Sequence, residues 1–62
     1  MAEYWLCYRV IDNSRNLGEF WQSFEALSDD KAHVKARWRM QALREHAKPG
    51  MKYDFIRLTK KI

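Results

Sequence analysis

Residues 19–27 read Glu19-Phe20-Trp21-Gln22-Ser23-Phe24-Glu25-Ala26-Leu27, and the fold turns on whether this stretch is a strand or a helix. With a period of two, Phe20, Gln22, Phe24 and Ala26 share one face, and Trp21, Ser23, Glu25 and Leu27 share the other. With the helical period, Phe20, Phe24 and Leu27 line up, and Asn16 with Glu19 forms a capping box. Two adjacent aromatics after a turn suit a pleated surface. Gly18 would fall in the first helical turn, where glycine costs stability, and a stronger helix start follows at Ser28. The strand is the preferred reading. The helical reading would make the chain β-α-α-β.

On the N-terminal side, Tyr4 to Ile11 is rich in aromatic and β-branched residues and reads as a strand. Tyr4, Leu6, Tyr8 and Val10 form one face and Trp5, Cys7, Arg9 and Ile11 the other. Both are largely apolar, so this strand is expected at the centre of the sheet. Turn formers crowd residues 12–18, where the chain must reverse.

On the C-terminal side, Ser28-Asp29-Asp30-Lys31 is a helix start. The serine hydroxyl accepts from a free backbone amide, and the aspartates complement the positive end of the helix. Good helix formers continue to Ala47, with Arg44 and His46 in the last turn, and Lys48-Pro49-Gly50 stops them. Met51 to Ile62 alternates again, with Tyr53, Phe55, Arg57 and Thr59 opposite Asp54, Ile56, Leu58 and Lys60. The expectation is one α+β domain over residues 1–62, a two-layer ββαβ chain with sheet order 2-1-3. The third strand should run parallel to the second after a right-handed crossover, with the helix on one face of the sheet.

Along the helix, Ala32, Ala36, Met40, Leu43 and Ala47 fall within about 80° of one another and define the buried stripe. Three alanines permit close approach, so the bulk must come from sheet aromatics such as Tyr8, Phe24 or Phe55. Trp38 lies roughly 160° from Met40. It should be at least partly exposed with Val34, among Lys31, Lys35, Arg37, Arg39 and Arg44.

A chain of 62 residues builds only a small core, and nine aromatics are its main resource. One cysteine, Cys7, forms no internal disulfide and fits a reducing compartment. His33 and His46 lack thiol neighbours at zinc spacing, so no metal or cofactor is expected. No apolar run approaches the ~20 residues needed to span a bilayer, and the N-terminus does not read as a signal peptide. The expected setting is cytoplasmic, away from membranes.

The net charge of +4 conceals a division. Residues 1–30 carry two basic and six acidic side chains, a balance of −4, while residues 31–62 carry ten basic and two acidic, a balance of +8. Either a polyanion binds the basic half, or the halves neutralise each other within the fold or across a dimer.

No Ser/His/carboxylate or Cys/His arrangement stands out, so no catalytic residue and no small-molecule substrate is expected. One helix covers only one sheet face, leaving the other apolar in either register: Trp5, Ile11, Trp21, Ile56 and Leu58, or Tyr4, Tyr8, Phe20, Phe24 and Phe55. The leading expectation is a small non-enzymatic interaction module, accessory, regulatory or inhibitory, of the kind phages and mobile elements encode. It would dimerise or dock on a protein through Trp38, Val34, Arg37, Arg39, Trp5 and Trp21. The alternative is a nucleic-acid-binding protein using Lys31, Lys35, Arg37, Arg39 and Arg44 on phosphates.

Overall fold

The computed structural model describes residues 1–61. It shows β1 (Ala2–Asp12), β2 (Arg15–Ala26), α1 (Asp29–Glu45) and β3 (Met51–Lys60). The sheet order is β2-β1-β3, and β1 runs antiparallel to both neighbours, so β2 and β3 are parallel. The pivotal stretch is a strand as far as Ala26, with Leu27 beyond it: Phe24 and Ala26 are buried, Trp21, Ser23 and Glu25 are exposed, and Phe20, on the same face as Phe24, is exposed where the helix no longer covers it.

The reversal is tighter than the run of turn formers suggests. Asp12 already pairs with Arg15, leaving Asn13 and Ser14 as a two-residue loop with φ of 50° and 70°. Positive φ at both central positions matches the right-handed twist of the strands, and Asn tolerates it better than most side chains. The pairing then slips between Val10 and Ile11. Leu17 is the extra residue, next to Gly18 at φ +100°.

Ser28 caps α1 as its position suggested, its hydroxyl accepting from the Lys31 amide at 3.2 Å. The helix ends at Glu45, two residues short of the expected Ala47, with the His46 amide on the Ala42 carbonyl at 3.2 Å. Gly50 takes φ +89°, and its carbonyl accepts from the Asn13 amide at 2.9 Å. The helix-to-strand linker is thereby tied to the tip of the β1-β2 hairpin.

The core lies between α1 and one sheet face. Tyr4, Leu6, Tyr8 and Val10 of β1 meet Ala32, Ala36 and Met40, with Phe24 and Ala26 from β2. Tyr4 stacks on Phe24 with centroids 6.0 Å apart. Leu43 and Tyr53 close the margins of this cluster. Of the aromatics expected to supply bulk, Tyr8 and Phe24 do so. Phe55 stays 48% exposed.

The simple alternation of β3 does not survive. Cys7 pairs with Arg57 and Tyr8 with Phe55, so Ile56 is an extra residue at a bulge. A bulge shifts the alternation by one position. Tyr53 and Phe55 therefore share the helix side with Leu58, while Arg57 and Thr59 lie on the open side. Leu58 packs against the core, not on the uncovered face.

Candidate functional site

The sheet face opposite α1 is uncovered, and the register shows what it carries. Across the strands, Trp21, Cys7 and Arg57 form one row, and Ser23, Trp5 and Thr59 the next. Trp5 and Trp21 meet edge to face, with centroids 6.3 Å apart and planes at 87°. Each indole also carries a cation: the Arg57 guanidinium lies 5.7 Å from the Trp21 ring and the Lys61 ammonium 4.8 Å from the Trp5 ring. Such contacts are worth ~0.5–1 kcal/mol at exposed sites.

Cys7 makes this arrangement possible. Its small side chain, 0% exposed, lets Trp21 and Arg57 approach across it from both flanking strands. Burial raises the thiol pKa, and the nearby Glu19 carboxylate, which accepts from the thiol at 3.6 Å, raises it further. Arg57 and Arg9 act in the opposite direction but do not overcome this. The thiol is held protonated, which suits a packing role. Trp5, Trp21, Arg57 and Thr59 line a shallow, largely apolar depression.

The second group of expected contact residues lies on the other side of the molecule. Trp38 is 67% exposed and Val34 43%, both on the outer surface of α1. The Cα framework is only 12 Å thick along its shortest axis, with the helix layer on one side and the Trp5/Trp21 face on the other. The two groups are thus separate surfaces. No flat partner touches both at once.

Several of the helix cations act within the fold. Lys35 donates to the Glu25 carbonyl at 2.7 Å. Arg39 donates to Gln22 Oε1 at 3.1 Å and stacks on Phe24 at 5.3 Å. Arg44 donates to the Tyr53 carbonyl at 3.1 Å. They strap the shoulders of α1 to β2 and β3. Lys31 and Arg37 remain exposed. Arg37, with His33, Arg44 and Phe55, lines a groove between α1 and β3.

Charge neutralisation within the fold is slight. Among the described residues, two ion pairs form: Arg9 with Glu19 at 3.9 Å and Lys61 with Glu3 at 3.0 Å. Only the second joins the acidic half to the basic half. Among these residues no cluster of three or more His, Cys, Asp or Glu side chains is placed to hold a metal ion. No helix of the described residues is long and apolar enough to cross a membrane.

Comparison with known proteins returned no matching family model, no similar curated protein and no similar solved structure. The geometry of the two surfaces is therefore the whole basis for a functional reading.

The Arg57 and Lys61 contacts with tryptophan could not be read in advance. They depend on the β3 bulge, which carries no sequence mark beyond an apolar residue at position 56.

Proposed function

We propose that this chain is a small, non-enzymatic protein-interaction module that docks through the open sheet face. The observation that carries the reading is the Trp5/Trp21 pair, laid edge to face on an uncovered sheet and framed by Arg57 and Lys61. Tryptophan and arginine are the side chains most enriched where truncation costs an interface most. An uncovered tryptophan pair rimmed by charge is characteristic of a docking face. An accessory, regulatory or inhibitory subunit would use such a face.

A tagged wild-type chain should retain a partner, itself included, that Trp21→Ser loses while its far-UV spectrum is unchanged. Equal capture by both proteins would remove the open face from consideration.

A second reading is favoured by the groove between α1 and β3, where Arg37, His33 and Arg44 surround the half-exposed Phe55 ring. Cations beside an aromatic suit a single-stranded nucleic acid, with phosphates on the arginines and a base on the ring. Affinity should then fall steeply with salt and drop on Arg37→Ala and Phe55→Ala. No binding to single-stranded DNA or RNA at low salt would dispose of it. Lys35 and Arg39 face away from this groove, toward β2, so the site would use a different subset of cations from the full helix face.

A further inference from the structure

We infer that the groove between α1 and β3 takes one nucleotide step of a single strand, its base on Phe55 and the two flanking phosphates on Arg37 and Arg44. This rests on the second reading above and adds the path of the strand, the number of phosphates held and a separate task for each arginine.

The path follows from the fold. Arg37 and Arg44 are seven residues apart, so they stand on one side of α1, about 10.5 Å from each other along its axis. The short linker after Glu45 sends β3 back alongside the helix, and Arg44 meets it at Tyr53. Phe55 lies two residues, about 6.6 Å, further along β3. That brings its ring level with Met40, between the two arginines. Ala36 and Met40, each 3% exposed, make an apolar floor beside the half-exposed ring. The groove encloses about 250 Å³, less than a drug-sized ligand needs and room for one base.

The charge is one-sided. Among the described residues the lining holds Arg37, Arg44 and His33 and no carboxylate. The acids nearest in sequence lie elsewhere. Asp54, beside Phe55 in β3, belongs to the opposite sheet face, and Glu45 accepts from Gln41 at 3.0 Å on the exposed side of α1. Asp30 stands two turns before Arg37. Ala36 and Met40 offer no hydrogen-bonding group to a base edge, so the ring takes a base by stacking, whatever its identity. The arginines differ. Arg44 donates from Nε to the Tyr53 carbonyl, which sets its guanidinium plane and leaves the Nη fork for a phosphate. A lysine ammonium cannot hold that carbonyl and present a planar fork at once. Arg37 is exposed and has no such tether, so its task is charge alone.

The test is fluorescence anisotropy of short labelled oligo-dT and oligo-U at low salt, with the full chain. Two phosphate contacts give log affinity a slope on log salt of about −1.4, and Arg37→Ala should bring it to about −0.7. Arg37→Lys should bind nearly as well as wild type, whereas Arg44→Lys should lose as much as Arg44→Ala. Phe55→Leu keeps an apolar residue but no ring and should weaken binding about tenfold. Inorganic polyphosphate, which has no bases, should compete about tenfold less well than oligo-dT. Trp21→Ser, on the opposite sheet face, should change nothing. Far-UV spectra check each variant, and Arg37→Ala, which breaks no tether, decides the matter if the Arg44 or Phe55 variants unfold. No binding of either strand overturns the nucleic-acid reading and this inference together. A slope of about −3 or steeper, or loss of binding in Trp21→Ser, puts the strand outside the groove and overturns the inference alone. Equal competition by polyphosphate overturns the stacked base, and full binding by Arg44→Lys overturns the fixed fork.

Discussion

Cys7 illustrates how one small side chain organises a surface. It is buried although it points to the uncovered face, because Trp21 and Arg57 close over it. Its thiol pKa is raised by burial and by Glu19, so the folded state favours the protonated form. The resulting stability is present below the ordinary thiol pKa and is lost as pH rises through the folded value. A soluble thiol reagent should therefore modify the native protein far more slowly than the unfolded chain at neutral pH. Trp21→Ser should speed the reaction by uncovering the sulfur. Tyr4 follows the same sign at higher pH. Its hydroxyl donates to Asp29, and that bond, with burial and the charge of the carboxylate, raises the phenol above its usual value. Stability from this contact is complete below pH ~10 and declines as pH rises through the folded pKa. Tyr4→Phe should remove a phenolic absorbance step above that pH and flatten the alkaline loss of melting temperature.

At the scale of elements, the ends and connections are where local chemistry decides most. The Ser28 cap holds the Lys31 amide, and Ser28→Ala should cost about 1 kcal/mol, read by denaturant midpoint. Gly50 is constrained twice over. Its φ of +89° disfavours any side chain, and a Cβ there would collide with the side chain of Asn13. Gly50→Ala should cost ~1–3 kcal/mol and loosen the hairpin tip from the linker, seen as faster exchange of the Asn13 amide. Ser14, by contrast, sits at φ 70° in a two-residue hairpin, so Ser14→Gly should stabilise by up to ~1 kcal/mol, the relief of ~1–2 kcal/mol of left-handed strain outweighing ~0.4–1 kcal/mol of added chain entropy. The β3 bulge is the element-scale feature that alternation alone conceals. It brings Leu58 to the core and Arg57 to the open face, although position 57 counts in step with the helix-facing Tyr53 and Phe55.

At the scale of the whole molecule, a single layer of helix on a three-stranded sheet leaves two unlike surfaces on opposite sides. Trp38→Ala should change the melting temperature little, because its ring is 67% exposed on the outer side of α1. Leu6→Ala should remove most of the stability. Leu6 is fully buried at the centre of the central strand, and such truncations cost ~2–5 kcal/mol in a domain with little to spare. A large loss for Trp38→Ala, measured by thermal unfolding, would mean that the indole covers the chain's own core. The basic residues of α1 also divide at this scale. Lys35 and Arg39 hold β2, Arg44 holds β3, and Arg37 lines the groove beside Phe55.

The sequence by itself determined the order of elements, the central place of β1, the helix start at Ser28, the alanine-rich buried stripe and the outward position of Trp38. Each of these follows from local propensity or from a hydrophobic period within one segment. The alanine-rich stripe pointed to Tyr8 and Phe24 beneath the helix, but both faces of β1 are apolar, so the tertiary structure decided which sheet face the helix covers. It also decided the shift at Ile56, which depends on how β3 meets β1, and the separation of Trp38 from the Trp5/Trp21 pair. Partner-facing residues on different segments cannot be sorted into surfaces until packing sets those segments side by side.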